Sequence, residues 1–84
     1  MKLVFSEHAG DDDLYWQRTD RRILERINRL IKEIQLSPFE GTGKLELLKH
    51  ALSGYWSRRV NVGHRIVYKV GPDALFIAQV RYHY

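Results

Sequence analysis

The last four residues of the chain, 81–84, combine a cation, two tyrosines and an imidazole. The imidazole of His83 is the side chain best suited to give or take a proton near neutral pH. Chain ends are usually frayed and tolerant of substitution, so a terminus of this composition is unusual. The pattern predicts that the tail contributes a proton donor to a site.

Glu46 is a second candidate, because acids are scarce in the half of the chain that contains it. Residues 44–84 contain seven Lys/Arg and two Asp/Glu, a net charge of +5, whereas residues 1–43 contain seven and eight, a net charge of −1. A carboxylate isolated among Lys44, Lys49 and His50 is either a structural ion-pair partner or a base held near a substrate. Residue types alone favour the structural role.

Cations alternate with aromatic side chains in the basic half, which is typical of surfaces that bind a polyanion with flat bases. A solvated sheet edge with ordinary core aromatics explains the same composition equally well. The aromatic residues concerned are Tyr55, Trp56, Tyr68, Phe76, Tyr82 and Tyr84.

Together these residues supply what metal-free cleavage of RNA requires. The 2′-hydroxyl of RNA is the nucleophile, a base removes its proton, cations stabilise the phosphorane, and an acid protonates the leaving 5′-oxygen. Glu46 can serve as the base and His83 as the acid. Arg59, Arg65 and Lys49 can hold the phosphate, for which the planar guanidinium is well shaped. The side chains that can stack on bases are Tyr84, Tyr82 and Trp56.

Other kinds of catalytic site are not indicated. There is no cysteine, none of the four serines has a nucleophile-elbow context, and the four histidines lack metal-ligand spacing. The acidic triplet 11–13 cannot converge on one ion, since neighbouring side chains on a helix point about 100° apart, and is predicted to be solvated surface. The sequence therefore predicts neither a metal nor a cofactor.

The hydrophobic pattern predicts a single α+β domain over residues 1–84. A strand is expected at 2–6, a first helix at 7–16, and a second helix that is capped by Thr19 or Asp20 and ends at Ser37-Pro38. The glycine-rich turn that follows is expected to be flexible. After residue 44 the period becomes two, which predicts an antiparallel meander of about three strands. The predicted meander strands are 56–62, 65–70 and 75–82.

Length and composition also limit where the protein works. A secreted domain of 84 residues would usually need disulfides, so the absence of cysteine favours a reducing compartment. The N-terminal apolar run is too short for a signal peptide, and no stretch approaches the ~20 apolar residues of a transmembrane helix. We expect a cytoplasmic protein that does not bind membranes.

Four segments of the chain closely resemble the YoeB toxins, which belong to the RelE-like branch of bacterial toxin–antitoxin systems. The resemblance runs the length of the chain. Its most specific parts are the Trp-Ser-Arg-Arg stretch at 56–59 and the Arg-Tyr-His-Tyr ending. The four segments are 48–50, 52–59, 64–68 and 81–84.

The resemblance implies a microbial-ribonuclease-like fold and an mRNA endonuclease that acts in the A site of the 70S ribosome, so that translation stops. It also implies inhibition by a YefM-like antitoxin and a tendency to form a homodimer. The antitoxin is expected to carry an acidic segment, since it must cover the basic half.

Carried over by position, Glu46 is the general base, His83 the general acid, and Arg65 the group that stabilises the scissile phosphate. One departure is that Leu45 and Leu47 stand where the family often has prolines, which removes two fixed φ angles and predicts a looser backbone around the glutamate. The supporting substrate-binding residues are Lys49, Arg59 and Tyr84.

Two other functions fit the same sequence. One is a non-enzymatic toxin of the same fold that acts by binding, like the ParE-type gyrase inhibitors, and the other is a plain RNA-binding module. Glu46, Arg65 and His83 distinguish these from a ribonuclease, since a pure binder needs no acid and base beside its cations.

Overall fold

The computed structural model describes residues 1–82, and helix caps set the boundaries of its N-terminal half. The side chain of Ser6 accepts a first-turn N–H at 3.0 Å, and that of Asp20 accepts two, at 3.0 and 3.4 Å. These oxygens satisfy backbone donors that have no partner inside a helix. Asp20, rather than Thr19, therefore caps the second helix, and the first helix continues to Thr19, beyond its predicted end.

The elements are β1 (Lys2–Phe5), α1 (Glu7–Thr19), α2 (Arg21–Leu36), β2 (Glu46–Leu47), a 3₁₀ turn (His50–Leu52), β3 (Trp56–Asn61), β4 (His64–Val70) and β5 (Ala74–Gln79).

Five strands form one sheet in the order β1-β5-β4-β3-β2. Strands β3, β4 and β5 are the predicted antiparallel meander, and β1 extends it in parallel with Lys2 opposite Ala74. At the other edge, β2 pairs antiparallel with β3. The sequence did not predict β2, because Glu46 and Leu47 are too few to establish a period. The α+β prediction is confirmed, with one additional edge strand.

Helix α2 carries the apolar face that the sequence predicts. Its inward residues follow the i, i+3, i+4, i+7 spacing of one helix face, and Ile23 packs at the margin of the same cluster. Burial of each large aliphatic side chain contributes about 1.5–3 kcal/mol. No helix in the part of the chain that the structure describes is long and apolar enough to cross a bilayer. The buried α2 residues are Ile27, Leu30, Ile31 and Ile34.

The last strand is shorter than its alternating pattern indicates. Strand β5 ends at Gln79, and residues 80–82 leave the sheet. Helix α1 supplies the hydrogen bonds that a neighbouring strand would otherwise make. The N–H of Val80 donates to the carboxylate of Asp12 at 3.1 Å, and the indole N–H of Trp16 donates to the Val80 carbonyl at 3.0 Å.

The prediction that the acidic triplet is solvated surface is wrong for Asp12. Its side chain faces the sheet and is buried, at 5% exposure, whereas Asp11 is exposed and Asp13 partly so. A buried carboxylate is costly unless it is hydrogen-bonded, and the Val80 N–H meets that requirement. The triplet therefore contributes one residue to the interior.

Arg58 is fully buried under the loop that joins α2 to β2. The alternation of β3 places it between Trp56 and Val60, on the face that meets the helices. A buried guanidinium is tolerated only when its donors are used and its charge is paired. Its surroundings must therefore supply both carbonyl oxygens and an anion.

The contacts of Arg58 meet this requirement. Its guanidinium donates to the carbonyl oxygens of Ser37 and Glu40 at 2.8 and 2.6 Å, and lies 3.3 Å from a carboxylate oxygen of Glu33. Its Nε donates to the Tyr68 hydroxyl at 3.2 Å. Burial raises the pKa of the Tyr68 phenol above its ordinary value of 10.0, and the guanidinium opposes that rise. One side chain thus joins α2, the loop and two strands.

Glu33 holds the same loop from the helix side. It accepts the N–H and the hydroxyl of Thr42 at 2.7 and 2.8 Å. These bonds lower the pKa of Glu33 below its ordinary value of 4.5, Arg58 adds to the effect, and burial opposes it. Gly43 has a φ of 92°, and an added Cβ would lie 3.0 Å from the Arg59 carbonyl oxygen. The turn expected to be flexible is therefore fixed against both α2 and β3.

Replacing Arg58 with alanine is expected to lower the free energy of unfolding by about 3–5 kcal/mol, because Glu33 and three carbonyls that follow α2 lose the donor that they share. Arg59→Ala is the matched control, since that neighbour is exposed and its loss should change the free energy by less than about 0.5 kcal/mol. Denaturant unfolding measures both values. Similar values for the two variants would contradict an anchoring role for Arg58.

Glu33 is expected to make stability depend on pH in the acid range. Because its pKa is lowered in the folded state, its contribution is complete above the ordinary value of 4.5 and is lost as the pH falls through the folded value. The difference in unfolding free energy between the native protein and Glu33→Gln should therefore be constant near neutral pH and shrink as the pH falls below the ordinary value of 4.5. Glu25→Gln, on an exposed part of the same helix, is the control and should show a flat difference.

Candidate active site

The sheet face opposite the helices brings together residues from β2, β3 and β4. Ser57 and Arg59 on β3 lie opposite Val67 and Arg65 on β4, and Glu46 on β2 lies opposite Ser57. Directly opposed residues of antiparallel strands point to the same face, as do residues two apart on one strand. The pairing therefore puts Glu46, Arg59 and Arg65 on one surface.

Arg65 is almost entirely buried, with 3% of the residue exposed, and its side chain crosses β3 towards β2. Its Nε donates to the hydroxyl of Ser57, and its Nη2 donates to the carbonyl of Lys44 at 2.9 Å. The same Nη2 lies 3.7 Å from Oε1 of Glu46. These contacts fix the orientation of the guanidinium, which suits it to hold a phosphate at a defined point.

Glu46 differs from its partner in exposure. Its side chain is 49% exposed, whereas that of Arg65 is 4% exposed. Its backbone is held by pairing with β3, and the N–H of Leu48 continues the ladder by donating to the Tyr55 carbonyl at 2.9 Å. Leu45 packs against the core on the other side. Sheet pairing and core packing thus constrain the backbone around Glu46, where the prolines often found in the family are replaced by leucines.

The two cations predicted to support this pair lie on different segments, Lys49 just before the 3₁₀ turn and Arg59 on β3. Lys49 and Glu46 line the same surface groove, of about 370 Å³, which ends at the 3₁₀ turn. Arg59 is exposed, and its backbone N–H donates to the carbonyl of Gly43. The predicted acid His83 and the predicted nucleotide contact Tyr84 lie outside the described residues.

Sequence reasoning missed two groups that position Arg65. One is the hydroxyl of Ser57, which the alternation of β3 places on the same face as Arg59. Lys44 contributes its carbonyl oxygen rather than its ammonium group, and its φ of 51° is unusual for a residue other than glycine. No local pattern predicts a contact made by a backbone carbonyl. Of the two groups, only the Ser57 hydroxyl is therefore predictable from the sequence, through the alternation of β3.

The arrangement can do acid–base chemistry on an anionic substrate. An exposed carboxylate is able to accept a proton, and a fixed guanidinium beside it is able to stabilise negative charge. Among residues 1–82, no group of three or more His, Asp or Glu side chains is arranged to hold a metal ion.

Comparison with solved structures places the fold among the toxins of bacterial toxin–antitoxin systems. A YoeB dimer from Staphylococcus aureus superimposes with a TM-score of 0.93 at 42% identity, covering 100% of this chain and 98% of that one. The heterotetrameric YoeB-YefM toxin-antitoxin complex from the same organism gives a TM-score of 0.91, with the same identity and coverage.

The family follows from the sequence comparisons. Residues 5–84 match the model described as the YoeB-like toxin of bacterial type II toxin-antitoxin systems. Toxin YoeB of Escherichia coli (strain K12) is 60% identical over 84 residues, which is 100% of both chains. The chain therefore belongs to the YoeB-like toxin family, and the resemblance carried by its four sequence segments is confirmed.

Ser57→Ala is expected to lower the free energy of unfolding by about 1–3 kcal/mol, because it removes an acceptor from a buried, charged donor on Arg65. Ser53→Ala is the matched control, since Ser53 is exposed and the change should stay within about 0.5 kcal/mol. Thermal and denaturant unfolding of the two variants give the comparison. If Ser57→Ala behaved like its control, the hydroxyl would not be needed to hold the guanidinium.

Proposed function

We propose that this protein is an endoribonuclease that cleaves mRNA in the A site of the 70S ribosome and so blocks translation in the cytoplasm. The observation that carries the proposal is the Glu46–Arg65 pair, with 3.7 Å between an exposed carboxylate and a buried, oriented guanidinium. A surface that only binds RNA has no use for a carboxylate there, because it would repel phosphate. Family membership supports the same reading.

The proposed reaction needs no metal. Glu46 removes the proton of the 2′-hydroxyl, whose oxygen forms a bond to phosphorus as the bond to the 5′-oxygen breaks. Arg65 stabilises the negative charge that develops on the phosphorane, with Lys49 and Arg59 in support. His83 gives its proton to the leaving 5′-oxygen, and Tyr84 helps to position the nucleotide. Cleavage leaves a 2′,3′-cyclic phosphate on one product.

The proposed partners follow from the relatives. A YoeB protein of Staphylococcus aureus forms a dimer and also assembles with YefM. We extend both to this chain, as a homodimer that is neutralised by a YefM-like antitoxin. The net charge of +5 over residues 44–84 favours an antitoxin with an acidic segment.

The central test is cleavage of a defined message with and without ribosomes. The native protein should cleave ribosome-bound message, and Glu46→Gln and His83→Ala should each slow the reaction about 10²–10⁴-fold. A message with a 2′-deoxy sugar at the cleaved position should resist, because it lacks the nucleophile. Glu25→Gln, a charge-matched change on exposed α2 surface, should cleave at the native rate.

Three results would count against the proposal in different ways. Absence of cleavage by the native protein would favour a toxin that acts by binding or a plain RNA-binding module. Unchanged rates in Glu46→Gln or His83→Ala would remove that residue from its role. Equal cleavage of free and ribosome-bound message would retain the ribonuclease and reject its dependence on the ribosome.

A further inference from the structure

Residues 80–82 are held outside the sheet by contacts that the proposed chemistry does not explain. Two of them fix Val80 to α1, through the carboxylate of Asp12 and the indole N–H of Trp16. Both residues are buried, at 5% and 4% exposure. They lie on the helix side of the sheet, so they act on the tail and do not reach a substrate on the sheet face opposite the helices.

The backbone of Tyr82 is held on both sides. Its N–H donates to Nδ1 of His64 at 2.7 Å, and its carbonyl accepts the backbone N–H of Arg65 at 3.1 Å. Its φ of 66° lies in the left-handed region, where residues other than glycine persist only when their surroundings hold them. The peptide group that leads into position 83 is therefore attached directly to the strand that carries Arg65.

The side chain of His64 is itself fixed by α1. Its ring meets the indole of Trp16 edge to face, with 4.8 Å between the centroids. Because Nδ1 accepts a hydrogen bond from Tyr82, that nitrogen carries no proton. Trp16 thus orients the His64 ring, and the ring accepts a hydrogen bond from the Tyr82 N–H. His64 therefore positions the backbone of the tail.

Arg81 anchors the same segment rather than facing a phosphate. Its guanidinium carbon lies 3.4 Å from the ring centroid of Tyr15 on α1, and 4.4 Å from that of Tyr82. A guanidinium over the face of an aromatic ring is attracted by the quadrupole of that ring. This cation therefore holds the tail against α1.

We propose that Asp12, Trp16 and His64, which we call the tail socket, are positioning residues that fix the point at which the chain enters the active site. The proposal rests on the proposed function, because it gives the socket the task of aiming the acid at position 83. The socket acts through the backbone of Val80 and Tyr82 and touches no reacting atom. A displacement of a catalytic group by about 1 Å can lower the rate about 10²-fold.

Two substitutions of His64 separate its acceptor from its ring. His64→Phe keeps a ring against Trp16 and removes the acceptor. His64→Asn removes the ring but places an oxygen where Nδ1 stands, since both atoms are bonded to Cγ. We expect His64→Phe to lower kcat for ribosome-dependent cleavage about 10- to 100-fold with little change in KM, and His64→Asn to stay within about threefold of the native rate.

A double-mutant cycle tests whether the effect passes through the acid. In a His83→Ala background the acid is gone, so adding His64→Phe should change the remaining rate less than about twofold. Hydrogen exchange at the Tyr82 amide gives a second measurement that does not depend on activity. Protection is expected in the native protein and in His64→Asn, and should be lost in His64→Phe, while the unfolding temperature of all three is compared to exclude misfolding.

The outcomes separate this inference from the function on which it rests. Without cleavage by the native protein, both fail. If the native protein cleaves and His64→Phe retains full kcat, or if His64→Asn is as slow as His64→Phe, the socket proposal alone is wrong. A rate loss of equal size with and without His83 would show that His64 does not act by aiming the acid at position 83.

Discussion

The interaction on which the candidate site depends is the burial of the Arg58 guanidinium. The guanidinium binds the carbonyl oxygens of Ser37 and Glu40 at the start of the loop after α2, and it pairs with Glu33 on α2. The loop delivers the Lys44 carbonyl to Arg65 and continues directly into β2, where Glu46 pairs with β3. The guanidinium of Arg58, buried on the helix side of the sheet, thus sets the geometry of the Glu46–Arg65 pair on the opposite face.

Much of the fold could be predicted because its signals are local. The apolar face of α2 and the meander follow from periods of about four and two residues along the chain. Strand β2 has two residues and no period, so its pairing depends on β3 alone. Asp12 contacts a residue 68 positions away, and nothing in the acidic triplet distinguishes the one side chain that faces inwards. Long-range polar contacts of this kind have no local pattern to reveal them.

The arrangement of the candidate site could be predicted only in part, for the same reason. Glu46 is conspicuous as an acid in a basic half, but its distance from Arg65 depends on the register of three strands. The alternation of β3 already separates Arg58 from Arg59, since it puts the first with Trp56 and Val60. A charged residue on an apolar face then requires a buried partner, and Glu33 on α2 is such a partner only in the folded chain.

The two helices support different ends of the site, and Arg65 is where their effects meet. Its side chain bonds the Lys44 carbonyl, which α2 positions through Arg58, and its backbone N–H bonds the Tyr82 carbonyl, which α1 positions through the tail socket. These two bonds respond differently to substitution. Changing the side chain removes the link to the loop together with the cation proposed to bind phosphate, whereas the link to the tail is made by the backbone and persists in any variant that keeps the strand. Kinetics of Arg65 variants therefore combine loss of the cation with misalignment of Glu46, and changes in Arg58 or Ser57 are needed to separate the two.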